Sequence, residues 1–105
     1  MKVAIPSRDE KGLESEVEEH FGRARYYTIV SIEGGEIREV EVVENPFPSH
    51  GPGDIPRFLK ERGVNAVLVG RVGVRARRFF NEMGIAVLDG FSGKVGDAVK
   101  AYIKK

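Results

Sequence analysis

Two short apolar runs, within "VNAVLVG" at residues 64–70 and "IAVLDG" at residues 85–90, constrain this chain more than any other feature. Both are too short for helices, and both carry apolar residues at successive positions. A strand of that kind is covered on both faces, as in a parallel sheet. The intervening and flanking segments have helical spacing. "DIPRFLKERG" offers Asp54 as N-cap, with Ile55, Phe58 and Leu59 on one side. "VRARRFFNEMG" places Ala76, Phe79, Phe80 and Met83 on one stripe and stops at Gly84. "KVGDAVKAYIKK" turns Val95, Val99 and Tyr102 inward. The second half therefore reads helix–strand–helix–strand–helix.

The first half is different. "KVAIP" suits a buried strand. "LESEVEEHFG" predicts a short helix with Leu13, Val17, His20 and Phe21 on one face, Ser15 and Glu18 at capping-box spacing, and Gly22 as its stop. "RYYTIVSIE" and "EIREVEVVE", joined by Gly34-Gly35, predict a hairpin whose second strand has a wet face. Right-handed crossovers then allow one natural solution. It is a single domain over residues 1–105, a three-layer α/β/α structure with a ribonuclease H-like mixed five-stranded sheet. The expected strand order is 3-2-1-4-5, with strand 2 antiparallel.

Charge is divided unevenly along the chain. Residues 1–45 hold eleven acidic and six basic residues, whereas residues 46–105 hold five acidic and eleven basic ones. Arg71, Arg75, Arg77 and Arg78 crowd into "GRVGVRARR". Such a run is either a solvated helix face or a patch for an anion. Cysteine is absent, which excludes disulfides and thiolate-held clusters and leads to an expected cytoplasmic location. The N-terminus goes straight into a strand-like run without a signal-peptide core, and no apolar run approaches membrane-spanning length, so no membrane association is expected. The lack of Gln, Cys and Trp beside abundant Glu, Lys and Arg leans thermophilic.

Three constellations carry candidate chemistry. His20, in "EEHFGRA", is expected at a helix end and is either a packing histidine or a displayed imidazole. His50, in "NPFPSHGPGD", sits in a loop stiffened by Pro46, Pro48 and Pro52, which is either an ordinary surface loop or a lid. Gly70 and Gly73, flanking Arg71 at a strand-to-helix turn, suit close approach of an anion. That turn is neither a Walker loop nor a dinucleotide fingerprint. Catalytic equipment is missing from the pattern. No serine-hydrolase elbow or cysteine nucleophile is present, and the first strand lacks the carboxylate that a two-metal nuclease of this fold would need.

The ordered set "VAIPS", "HFGRA", "ENP", "GVNAVLVGRVGVRA" and "GIAVLDGFSGKVGDAV" resembles the dinitrogenase iron–molybdenum cofactor biosynthesis family. This is the NifX-like domain also found at the C-terminus of NifB proteins. "HFGRA" is the most specific element. Arg71 and Val74 depart from the family's later glycine-rich turn. The resemblance implies a non-enzymatic carrier for an iron–sulfur or iron–molybdenum-type cofactor precursor. It further implies a cofactor-binding set of His20, Phe21, Gly22, Arg23, His50, Gly70, Arg71 and Gly73, with His20 and His50 as metal ligands. The implied partners are an anionic metal cluster or its precursor and a cofactor-assembly protein. Nucleic acid is not expected. A different reading of the same arginines is a binding module for a phosphate-bearing metabolite or nucleic acid.

Overall fold

A computed structural model describes residues 1–47, 49 and 51–104. Among them, the chain forms a five-stranded sheet and three α-helices: β1 (Lys2–Ser7), β2 (Tyr26–Glu33), β3 (Glu36–Glu44), α1 (Asp54–Glu61), β4 (Ala66–Leu68), α2 (Val74–Glu82), β5 (Ala86–Leu88) and α3 (Val95–Ile103). The sheet order is β3-β2-β1-β4-β5. Strand β2 is antiparallel to both its neighbours, and β1, β4 and β5 run parallel. The predicted order and direction are those observed.

Gly34 and Gly35 turn the hairpin with φ of 58° and 77°. Positive φ at both central residues matches the right-handed twist of the flanking strands, and glycine adopts it without a Cβ clash. Strand β3 is an edge. Its residues are mostly exposed, and its glutamates discourage pairing with another sheet.

The pleat sorts alternate residues onto two faces. On one face Ala4, Tyr27, Ile29, Val67 and Val69 pack under α1 and α2, which contribute Ile55, Leu59 and Phe80. On the other, Val3, Ile5, Val30, Ala66 and Leu68 meet Val95, Ala98 and Val99 of α3. Helix α1 begins one residue earlier than its sequence suggests: Gly53 is the N-cap, and Asp54 opens the helix with its carboxylate accepting the Gly51 N–H at 2.9 Å. Strand β5, the other edge, is only half covered. Among the described residues, no helix is long and apolar enough to cross a membrane.

The expected helix over 13–21 does not form. Single 3-10 turns occur at Gly12–Glu14 and Phe21–Arg23, and the chain between them is extended. Its main-chain groups are taken up by distant segments. The Arg8 N–H donates to Glu16 C=O (3.0 Å), Val17 N–H to Gly93 C=O (2.8 Å) and Glu18 N–H to Pro6 C=O (2.8 Å). Each such bond removes a group that a helix would use internally. Glu14 and Glu18 would also repel at i,i+4 on a helix. His20 is therefore not at a helix C-terminus. It has extended backbone (φ −100°, ψ 107°) and leads into the second 3-10 turn.

Candidate functional site

The site begins with a proline. Ladder pairing between β1 and β4 covers Val3–Ala66 and Ala4–Val67, and ends there. Pro6 has no N–H with which to extend it. Chain connections also diverge here, since β1 leads to β2 on one side and β4 leads through α2 to β5 on the other. The carboxyl ends of β1 and β4 thus flank the topological switch point, where open α/β sheets bind ligands.

Residues 16–21 thread into that gap. Val17 bridges Ser7, and His20 bridges Arg71 in the parallel sense. The Arg71 N–H donates to Glu19 C=O at 2.9 Å, and the Phe21 N–H donates to Arg71 C=O at 3.1 Å. Two predicted stretches, "HFGR" and the turn after β4, are so brought together. They form the walls of a crevice of about 510 Å³, with His20, Gly22 and Arg23 on one side and Arg71, Val72 and Gly73 on the other.

The side chains divide into those that build the crevice and those that face it. Phe21 is 3% exposed and belongs to the core. Its ring lies 5.2 Å from Phe80, edge-on, and 5.6 Å from Tyr27. It anchors the turn from below. His20 is half-buried, its N–H donates to the Glu18 carboxylate at 3.2 Å, and its imidazole has no hydrogen-bond partner among the described residues. Arg71 is exposed and reaches Glu19 only loosely, with 3.7 Å between Nε and the carboxylate. An exposed pair of that length commits Arg71 weakly. Gly73 is the N-cap of α2 and no side chain caps the helix. The positive end of α2 therefore adds to the Arg71 charge beside the crevice.

Gly70 lies where other stretches of main chain approach closely. A Cβ there would lie 3.1 Å from Glu19 O and 3.2 Å from Phe91 O. The missing side chain is space used by two other stretches of main chain. Gly70 borders a separate hollow of about 280 Å³ that also includes Arg8, Glu16 and Gly93. Of the four clustered arginines, only Arg71 lines the His20 crevice. Arg77 is paired with Asp89 at 2.9 Å, and Arg75 and Arg78 lie exposed on α2. His50 lies outside the described residues.

Two site residues escaped the sequence reading. Val72, half-buried, supplies an apolar wall to the crevice. Asn45 fixes the chain beside the turn, with its Nδ2 donating to Ala24 C=O at 3.1 Å and its Oδ1 accepting the Phe47 N–H at 2.9 Å. An asparagine at a strand end before proline is the signal for such a main-chain clamp.

The donor set limits what can be held. Among the described residues, no group of three His, Cys, Asp or Glu side chains is placed to hold a metal ion. A bare transition metal needs several protein ligands. One imidazole beside guanidinium charge suits instead a cargo that is anionic and brings most of its own ligands.

Comparison with known proteins agrees with the geometry at the level of family and fold. The sequence model of the dinitrogenase iron-molybdenum cofactor family matches residues 1–105. The crystal structure of PH0822 superposes with a TM-score of 0.92 at 48% identity, over 99% of this chain and 91% of that one. The NMR structure of TM1290 from Thermotoga, a proposed NifB protein, gives a TM-score of 0.79 at 34% identity, over 98% and 87% of the two chains. MJ0580, an uncharacterized protein of Methanocaldococcus jannaschii, is 32% identical over 107 residues, covering 99% of this chain and 86% of its own.

Proposed function

We propose, from the premise that this chain belongs to the dinitrogenase iron-molybdenum cofactor family, that it is a carrier for a preassembled anionic iron–sulfur or iron–molybdenum-type cluster. The observation that carries this reading is the uncommitted imidazole of His20 beside the loosely held guanidinium of Arg71, in one crevice at the switch point. His20 supplies a nitrogen ligand. Arg71 and the N-terminal end of α2 offset the cluster's negative charge. Arg23 adds to that charge from the opposite wall. Val72 excludes water from one side. His50 is proposed as a second ligand on the strength of its loop sequence alone.

The role proposed for this donor set is carriage. Among the described residues, the site places no carboxylate cluster suited to metal-assisted hydrolysis. A cofactor-assembly protein is the proposed donor or recipient of the cluster.

Anaerobic loading with iron, sulfide and molybdenum sources, followed by metal analysis and a visible absorption spectrum, tests the reading. The wild-type protein is expected to retain coloured cluster through gel filtration. His20→Ala is expected to lose it by more than about tenfold, since removal of a ligand exceeds the effect of an outer partner. Its melting temperature should stay within a few degrees of wild type. Unchanged uptake with a lowered melting temperature would reassign His20 to packing and defeat the proposal.

A further inference from the structure

On the far side of the 3-10 turn Phe21–Arg23 lies a second hollow, of about 660 Å³. The turn and the strand after it form one wall, through Gly22, Arg23 and Arg25. Glu44, Asn45 and Phe47 form the other. Ala24 between the two arginines is buried at 3% exposure. Arg23, which ends the 3-10 turn, and Arg25, which follows buried Ala24, are both exposed and both line the hollow.

Neither arginine has a carboxylate within ion-pair distance among the described residues, whereas Arg38, Arg57, Arg62, Arg71 and Arg77 all do. The frame behind them is held by main-chain bonds. Asn45 N–H donates to Arg25 C=O at 2.7 Å, and the Asn45 side chain ties Ala24 to Phe47 as described above. One amide N–H of Asn45 is left over by that arrangement. The ring of Phe47 packs edge-on to Phe58, with 6.2 Å between centroids, and stays partly exposed toward the hollow.

We propose that this hollow binds a small organic phosphate, with the phosphate between Arg23 and Arg25 and the organic body against Pro46 and Phe47. Guanidinium groups match phosphate oxygens in pairs. Two of them outweigh the one carboxylate that lines the hollow, Glu44, which favours a dianion over a monoanion. The volume lies in the range of small-molecule sites. This proposal shares Arg23 with the cluster reading and is separated from it by Arg25, Glu44 and Phe47, which do not line the His20 crevice.

Phenyl phosphate, inorganic phosphate and phenol serve as probes, titrated into the full chain and followed by amide shifts in NMR spectra. Phenyl phosphate is expected to shift residues 22–25 and 44–47 with a dissociation constant of about 1 mM or tighter. Inorganic phosphate should bind more weakly and phenol not measurably. Arg25→Ala should weaken phenyl phosphate binding about tenfold. Glu44→Gln should strengthen it by about two- to fourfold, and His20→Ala should leave it unchanged. A merely structural role for these residues would not shift binding in opposite directions. Equal binding of phenol and phenyl phosphate, equal binding of both phosphates, or failure of Arg25→Ala and Glu44→Gln to diverge would overturn the assignment. So would the absence of shifts at about 10 mM probe.

Discussion

His20 and Arg71 are partners in a parallel β-bridge, fifty-one positions apart in sequence. The bonds beside that bridge are main chain to main chain, from Arg71 to Glu19 and from Phe21 to Arg71. The pairing sets where the two side chains start without using either of them. An imidazole and a guanidinium are left to line one crevice.

The loose contact between Arg71 and Glu19 makes the acid a competitor for the guanidinium. Glu19→Gln is expected to raise cluster loading about two- to fivefold at low salt, and Arg71→Ala to lower it by a similar factor. Both effects should fade toward 1 M salt, where screening acts within about 3 Å. A comparison of loading isotherms at two ionic strengths measures this. Salt-independent changes would show that Arg71 acts other than through charge.

Gly70→Ala tests the close approach of three chain segments. The new methyl would meet carbonyl oxygens of Glu19 and Phe91, and main-chain atoms cannot swing aside as a side chain does. A cost of about 1–3 kcal/mol is expected, lowering the melting temperature on the order of 5–15 °C. Calorimetry reads it directly. Loading should fall with it, because Glu19 leads straight into His20.

Phe21 is placed by the family motif but buried by the fold. Phe21→Ala should cost about 3–5 kcal/mol by leaving a cavity between Tyr27 and Phe80. Phe21→Leu should cost less and keep cluster loading. Denaturant unfolding of both variants separates an anchoring ring from a cluster-contacting one, which would lose loading in both.

Tyr27 is fully buried, and its hydroxyl has no hydrogen-bond partner among the described residues. Tyr27→Phe is accordingly expected to be neutral or stabilising by up to about 1 kcal/mol. Burial also pushes this phenol well above its usual range. The folded state then keeps a proton that the unfolded state releases. This contribution to stability is complete below the ordinary phenol pKa of about 10 and declines as pH rises above it. Urea midpoints between pH 8 and 11 should fall less steeply in Tyr27→Phe. Parallel slopes would show that other groups govern alkaline unfolding.

The parallel half of the fold is legible because residues 66–69 and 85–88 are apolar at every step and are separated by a helical stripe. Gly34-Gly35 is legible because few residues accept its φ angles. Residues 13–21 mislead for a definite reason. Leu13, Val17 and Phe21 are spaced by four, which suits one face of a helix and equally one face of a strand. Ser15, at 1% exposure, occupies the intervening strand position. Long-range main-chain partners break the tie, and no local pattern carries them. At the site, "HFGR" and Arg71 stand out in the sequence, but their contact does not. Asn45 carried a local signal, an asparagine before proline at a strand end, whereas Val72, in the turn after β4, looks like an ordinary apolar loop residue. Gly70 was visible as a glycine, but its neighbours were not.

Pro6 gives the fold a kind of interchangeability. By ending the β1–β4 ladder it opens a slot, and residues 16–21 are fastened into that slot by carbonyls and amides that every residue type possesses. Positions 20 and 71 are therefore free to change without loosening the frame that presents them. On the proposed reading, a chain of this architecture would acquire a new cargo by exchanging two or three side chains, while Gly70 and Phe21 hold the frame shut.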